Sequence, residues 1–212
     1  TNWAKEMFRT AIMHQHHLSV SGGNQTTRYM ISAQFMDQDG ILKNTGNRRY
    51  NFRSNIDTKL GIVKLGLNLA GSRQDVEEPV TSVTGEGLMR YLTWFTRPTV
   101  PVTYANGYYG CVDGNSNIGA SVFKNPIEDL NYGRKTNQHH RFDGKVFAEV
   151  DIIKGLTFRS SLAYKYYNNE VSTYSPRSAA KYNAEGEILN PAGTQNTLAD
   201  YSWIEKSYIN EN

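Results

Sequence analysis

Long stretches of alternating apolar and polar residues constrain this chain more than any other feature. Between residues 49 and 59, every second side chain is charged or an amide, and the others are aromatic, aliphatic or small. Successive side chains of a β-strand point to opposite faces, so this run predicts a strand with one apolar and one polar face. The same pattern occurs at 29–35, 63–70, 142–152 and 156–166, with partial runs at 18–20 and 201–203. We therefore predict an all-β chain of about seven antiparallel strands.

The strand lengths and connections indicate a membrane barrel. Several runs exceed the usual strand of about 5–6 residues, and a tilted membrane strand needs only about 9–11. Short Gly-rich turns alternate with long connections, which is typical of outer-membrane barrels. The turns lie at 22–25, 60–61 and 154–155, and the long connections at 38–46, 76–138 and 173–199. A basic residue facing lipid costs about 2–4 kcal/mol near the midplane, so we expect the polar faces to line a wet lumen.

The composition argues against several other classes of protein. The 23 Lys+Arg and 20 Asp+Glu give a net charge of +3, too weak a basic bias for a nucleic-acid binder. No run approaches the roughly 18–20 apolar residues of a membrane helix. The 14 Tyr, 8 Phe and 3 Trp argue against disorder. A single cysteine, Cys111, excludes an intrachain disulfide, and its loop position predicts an exposed, incidental thiol.

A set of short segments, spread over nearly the whole chain, matches the pattern of one known family. The segments are Thr1-Asn2-Trp3, Phe8-Arg9-Thr10-Ala11, residues 18–24, Tyr29, residues 37–41, Arg49-Tyr50, Asn55-Ile56-Asp57, residues 65–69, Pro98, Pro101-Val102, Asn106-Gly107 and residues 155–158. On these segments the chain resembles the SusC/RagA-type TonB-dependent outer-membrane transporters. The chain starts without Met and ends inside a predicted strand, so we expect it to be a piece of a longer protein.

The resemblance implies a fold, a location and partners. It implies part of a transmembrane β-barrel of about 22 strands, filled by a plug, in the outer membrane of a Gram-negative, Bacteroidota-like cell. Residues 1–212 would be one partial barrel domain lying just after the plug, without the plug or the remaining strands. The implied partners are a SusD-like surface lipoprotein lid, the TonB complex acting through the plug, and outer-membrane lipid. The implied activity is import of a glycan oligosaccharide or a peptide, with short turns periplasmic and long loops extracellular.

Two other functions remain open from the sequence. Alternation alone does not distinguish a lipid-facing surface from a buried core, so a soluble carbohydrate-binding β-sandwich is one alternative. A passive outer-membrane porin or structural barrel is the other. We find no Gly-rich phosphate loop, no nucleophile elbow and no carboxylate pair that argues for catalysis, so we do not expect an enzyme.

The longest connection, 76–138, holds the aromatic candidates for ligand contact. Residues 87–95 predict a short helix that ends before Pro98. An aromatic face offers apolar contact and a Tyr hydroxyl adds a directional hydrogen bond, which suits a sugar ring or a peptide. The candidates are Trp94, Tyr104, Tyr108 and Tyr109. The alternative is that these rings pack the loop on itself or lie beneath the lid.

Basic residues on the polar face are the second set of candidates. Arg49 and Arg53 would face the lumen, where they could guide an anionic ligand. The alternative, which we favour, is that these residues and Lys64 pair with carboxylates such as Asp57 or with acidic residues of the plug.

Two clusters resemble metal sites without completing one. His14, His16 and His17 lack a nearby Cys or carboxylate, and adjacent His139 and His140 would point to opposite faces of a strand. Asp113, Asn115 and Asn117 have the oxygen spacing of the start of a calcium loop. The loop lacks the Gly at its sixth position and has Lys124 where a calcium loop has Glu. We therefore expect no cofactor, with a weak calcium site the remaining possibility.

Overall fold

One antiparallel sheet of seven strands dominates the fold. The computed structural model describes residues 1–80, 98–111, 125–177, 180–193 and 195–211. The sheet contains β1 (Met13–Gly23), β2 (Thr27–Asp39), β3 (Gly46–Leu60), β4 (Val63–Glu78), β5 (Arg134–Ile153), β6 (Leu156–Ser175) and, after a small hairpin, β9 (Thr197–Glu211). Each strand pairs with the next one in this order. The prediction of seven long antiparallel strands is confirmed.

The remaining elements are short. They are the helices α1 (Trp3–Met7) and α2 (Pro126–Asn131), and a hairpin of β7 (Lys181–Tyr182) and β8 (Ile188–Asn190). Of the helices that the structure describes, none is long and apolar enough to cross a membrane. The predicted helix at 87–95 lies outside the described residues.

The pairing register gathers the apolar side chains on one face of the sheet. Ile56 pairs with Leu67, Leu67 with Val146, and Val146 with Leu162, so one apolar row crosses four strands. Phe52 is 46% exposed and Val146 is 47% exposed on this face. A β-sandwich would bury these residues against a second sheet, and the described part of the chain forms no such layer over them. The structure therefore does not support the sandwich alternative.

The two ends of the sheet differ as the connection lengths predict. At the turn end, β3 joins β4 through Gly61 and β5 joins β6 through Gly155, with φ of 62° and 89°. This left-handed backbone is one that glycine adopts without strain. At the loop end, the strands extend further than predicted, because β4 reaches Glu78 and β5 begins at Arg134. The longest connection is therefore shorter than the sequence pattern indicated.

The buried apolar core lies beside the sheet at the loop end. Met7 of α1, Leu42 of the β2–β3 loop and Leu130 of α2 pack together, with Phe8 and Ile127 around them. Hydrogen bonds from Arg9 to the carbonyl oxygens of Gly40 and Thr45, both 3.1 Å, hold the N-terminal segment on this loop. The core thus joins the first residues of the chain to connections that lie far from them in sequence.

Phe147 is the one large aromatic residue that interrupts the predicted alternation of β5, and the structure explains it. Phe147 lies on the polar face opposite Gly66 of β4. The Arg159 guanidinium carbon lies 4.5 Å from the ring centroid and Lys64 Nζ lies 5.8 Å from it. Cations near an aromatic face are attracted to it, so the ring is stabilised among charged side chains. A Cβ atom on Gly66 would overlap the ring, so glycine is needed for this close approach.

We expect Gly66→Ala to lower the free energy of unfolding by about 1–3 kcal/mol, because the added methyl group overlaps Phe147. Urea titration of the folded protein, followed by fluorescence, measures this loss. Gly71→Ala is the matched control, since a Cβ there meets its nearest atom at 4.0 Å. The double variant Gly66→Ala/Phe147→Ala should be less destabilised than the sum of the two single variants. Additive losses would contradict the steric explanation.

Candidate functional site

Three segments at the loop end pack into one unit, which we call the loop-end cap. It consists of residues 98–111, residues 125–133 and the β7–β8 hairpin. Asn125, only 1% exposed, joins two of these segments. Its Nδ2 donates to the carbonyl oxygens of Val102 and Gly110, at 3.0 and 2.8 Å. Its Oδ1 accepts from the backbone N–H groups of Ile127 and Glu128 at the start of α2.

The three tyrosines predicted to contact ligand all lie in the loop-end cap, where they have different surroundings. Tyr104 Oη donates to the Cys111 carbonyl oxygen at 3.0 Å, and Tyr109 Oη accepts from Asn131 Nδ2 at 3.3 Å. Tyr108 stacks on Tyr182, with ring centroids 3.9 Å apart, and remains 41% exposed. The hydroxyls of Tyr104 and Tyr109 are thus used within the cap, and Tyr108 presents the open aromatic surface. Trp94 lies outside the described residues.

The surroundings of Cys111 differ from those that the sequence predicted. It is 4% exposed, and its Sγ donates to the Tyr182 carbonyl oxygen at 3.2 Å. The expectation of an exposed thiol is wrong, because the segment carrying Cys111 is covered by the β7–β8 hairpin. This tertiary contact has no local sequence signal.

An ion pair and a tyrosine add further contacts at the cap. Lys181 Nζ of the hairpin pairs with the Glu128 carboxylate of α2, and both side chains are largely buried. The Tyr132 hydroxyl donates to the Pro176 carbonyl oxygen. Burial raises the pKa of Tyr132, and the charges of Glu128 and Asp129 raise it further. The cap is therefore held by polar contacts between segments that are distant in sequence.

The predicted basic residues lie on the polar face of the sheet. Arg49 Nη2 donates to Gln74 Oε1 at 3.1 Å, and Lys64 lies over the Phe147 ring. Among the residues that the structure describes, neither these two nor Arg53 forms an ion pair with Asp57. Arg53 instead lines an open recess of about 670 Å³ near the middle of the polar face.

An aromatic group on the polar face was missed by sequence reasoning. His139 Nδ1 and Tyr167 Oη are 2.8 Å apart, and the Tyr167 and Trp203 rings meet edge to face at 5.6 Å. Trp203 is exposed. Tyr167 directly follows Tyr166, so the alternation itself places one of the two tyrosines on the polar face. The alternation of side chains along β6 was therefore the sequence signal that could have placed Tyr167 on the polar face.

The candidate metal ligands do not assemble into a site in the part of the chain that the structure describes. No group of three or more His, Cys, Asp or Glu side chains there could hold a metal ion. His14 and His16 meet edge to face on the apolar face, with centroids 5.7 Å apart, and His16 stacks on Phe35. The calcium candidates Asp113, Asn115 and Asn117 lie outside the described residues.

Solved structures show the same fold. The structure of the RagAB peptide importer in the open-open state matches 99% of this chain and 22% of the chain compared, with a TM-score of 0.65 and 22% identity. The closed-closed state gives a TM-score of 0.64 at the same identity, with 99% of this chain matched. The seven-stranded arrangement therefore recurs within a much larger chain.

The sequence of the chain is similar to those of several curated proteins. No protein-family model matches the chain. TonB-dependent receptor P3 of Formosa agariphila is 24% identical over 216 residues, which cover 98% of this chain and 21% of the receptor. TonB-dependent receptor SusC of Bacteroides thetaiotaomicron is 36% identical over 56 residues, or 26% of this chain and 6% of SusC. The resemblance to SusC/RagA-type TonB-dependent transporters is confirmed. The chain spans about a fifth of the length of the TonB-dependent receptors that it matches along its whole length.

The packing of the loop-end cap can be tested through the single cysteine of the chain, Cys111. We expect Asn125→Ala to raise the reaction rate of Cys111 with a thiol reagent at least about tenfold, because buried carbonyl groups lose their partner and the cap loosens. Labelling of the full-length protein, with mass spectrometry of the Cys111 peptide, measures the rate. Glu185→Ala is the control, because Glu185 is an exposed residue of the β7–β8 hairpin in the same cap. Equal rates in the wild type and the Asn125→Ala variant would contradict the role assigned to Asn125.

Proposed function

We propose that this chain is a wall segment of an outer-membrane TonB-dependent importer of a nutrient. The single observation that carries the proposal is the seven-stranded sheet with one open apolar face and one charged face. Exposure of the apolar face to water would cost free energy, whereas contact of this face with lipid is favourable. Residues 1–212 would then form one partial barrel domain, with the polar face toward the lumen.

Aromatic pairs on the apolar face support this orientation. Phe35 lies against Tyr50 and Tyr164 against Tyr208, with centroids 5.1 and 4.9 Å apart. Both pairs lie on the loop-end side of the aliphatic row through Leu67. Membrane barrels carry aromatic girdles where the apolar band meets the interface, so these pairs fit the outer boundary of the bilayer.

The proposed mechanism is gated binding without bond chemistry. Extracellular loops and lumen residues hold a glycan oligosaccharide or a peptide beneath a SusD-like lipoprotein lid. A plug is then displaced by force from the TonB complex. The support comes from relatives that are named TonB-dependent receptors and from the fold shared with a structure named a peptide importer.

The ligand contacts that we propose follow from exposure. Tyr108 offers its open face, and Arg49 and Arg53 lie on the face that we propose lines the lumen. Trp94 stays a candidate from the sequence alone. Tyr104 and Tyr109 would act mainly by holding the cap in place, because their hydroxyls are bonded within it.

Adjacent residues of β2 test which face meets lipid. Ile31 lies on the apolar face, paired with Val20 and Ser54, and Met30 lies on the polar face, paired with Ser21 and Asn55. We expect Ile31→Arg to cost about 2–4 kcal/mol near the midplane and to reduce the folded protein in outer membranes sharply. The matched variant Met30→Arg should retain the wild-type amount of folded protein in outer membranes. Heat-modifiable mobility of the full-length protein in isolated membranes measures both. Equal loss in both variants would contradict the proposed orientation.

Conductance separates an importer from a passive porin without knowledge of the substrate. We expect the full-length protein in planar bilayers to give no steady open-channel conductance, because a plug would fill the lumen. Addition of urea, which loosens the plug before the barrel, should open channels. Stable porin-like steps in the absence of urea would favour the passive alternative.

A further inference from the structure

We propose that the loop-end edge of the apolar face binds the phosphate group of an outer-leaflet lipid through Arg48 and Arg73. This inference rests on the proposed function, because it requires the apolar face to meet lipid and the loop end to lie outside the cell. It adds a binding site and the class of lipid that occupies it. A plug would lie on the opposite face and further strands would continue beside the sheet, so neither would cover this edge.

Basic side chains occupy the apolar face of β3, β4 and β5 only near the loop end. Arg48 lies two positions beyond Tyr50 on the same face of β3, and Arg73 of β4 pairs directly with Tyr50. His140 of β5 pairs with Arg73. We call Arg48, Arg73 and His140 the basic rim. Between residues 54 and 60 of β3, and in the described segments of β4 and β5 that pair with them, no basic residue lies on this face.

The basic rim lies at the depth where the apolar part of a bilayer would end. Tyr50 and Leu60 are ten residues apart on the apolar face of β3, which is about 34 Å along a strand. At the usual tilt of about 35–45°, this length spans about 24–28 Å of membrane thickness, which matches the apolar band of about 25 Å in outer-membrane barrels. With Leu60 at one boundary of the band, Arg73 reaches the other, where the phosphate groups of lipids lie.

Each arginine of the basic rim is oriented by a carboxylate through its Nε atom. Arg73 Nε lies 3.0 and 3.2 Å from the two carboxylate oxygens of Asp75, and Arg48 Nε lies 3.4 Å from Asp37 Oδ1. Both arginine side chains remain at least half exposed. In the described part of the chain, neither arginine forms a hydrogen bond through its terminal Nη groups. These groups can donate to the oxygens of a phosphate, for which a planar guanidinium is well suited.

The order of charges along the strands fits the order of groups in a lipid. Arg73 and His140 form the row nearest the apolar residues, and no carboxylate separates them. Asp37 and Asp75 lie one row further out, on either side of Arg48. A phosphate attached close to the acyl chains would therefore meet cations first. The outer parts of the head group would reach the acidic row.

An apolar groove directly below the basic rim favours a lipid over a soluble anion. Gly71 lies between Phe52 and Phe142 across three strands, and both rings are at least 40% exposed. The two phenylalanines are therefore two strand spacings, about 10 Å, apart. A Cβ at Gly71 would meet its nearest atom at 4.0 Å, so neither ring closes over the glycine. An acyl chain fits between the rings below Arg73, and a free phosphate would gain nothing from this surface.

Native mass spectrometry of the full-length protein in detergent micelles tests the inference. The probe is monophosphoryl lipid A, compared with the same glycolipid after removal of its phosphate. We expect at least about fivefold more bound lipid with the phosphorylated form, and a smaller difference as salt is added. The double variant Arg48→Gln/Arg73→Gln should bind the two forms equally. Arg48→Lys/Arg73→Lys should keep part of the preference, since the charges stay and the planar forks are lost.

Arg141→Gln is the control, because Arg141 repeats the local arrangement of Arg73 on the polar face. Arg141 Nε lies 2.6 Å from Oδ2 of Asp143, and the arginine side chain is 60% exposed. This variant should keep the wild-type preference for the phosphorylated lipid. Heat-modifiable mobility shows whether each variant is folded. Should the double variant fail to fold, the single variant Arg73→Gln decides the question, because it should lose at least about half of the preference.

Three results would overturn the inference. One is equal binding of the two lipid forms by the wild type, and another is an unchanged preference in the folded double variant. The third is an equal loss of preference in Arg141→Gln, because net charge would then attract the lipid without regard to the face. None of these touches the proposed function, which is tested separately by the Ile31→Arg and Met30→Arg pair and by conductance.

Discussion

The pairing register of the seven long strands is the constraint on which the rest of the structure depends. Strand side chains alternate, so a shift of one residue would move every side chain of a strand to the other face. In β3, such a shift would bring Arg49, Arg53 and Asp57 to the apolar face. Each basic residue would cost about 2–4 kcal/mol at the middle of a bilayer. The register therefore fixes both the apolar face, which we propose meets lipid, and the charged face opposite to it.

Much of the sheet was predictable from the sequence, because its determinants are local. Alternation in 49–59 and glycines at the tight turns specify strands, faces and connections without tertiary information. Phe147 shows where local reasoning stops. Its position on the polar face depends on space left by Gly66 of a neighbouring strand and on Lys64 and Arg159 around the ring. No single segment contains that information.

The candidate site was less predictable, because it is built from contacts between distant segments. In the sequence, Tyr108 was a candidate only because it is an aromatic residue in a long connection. Its stacking on Tyr182 brings together residues 74 positions apart. The burial of Cys111 has the same origin. The recess beside Arg53 could not be inferred from charge alone, since its volume comes from Ser32 and Ala70 on the strands either side.

The junction formed by Asn125 has a consequence for engineering and for evolution. One amide holds residues 98–111 against α2, and the β7–β8 hairpin closes over the same segment through Tyr182. Residues 98–111 grafted alone into a related protein would lose the contacts to Asn125 and Tyr182, which would stay behind. Exchange of these loops between related proteins should therefore succeed only when the three segments are transplanted together, as one cassette.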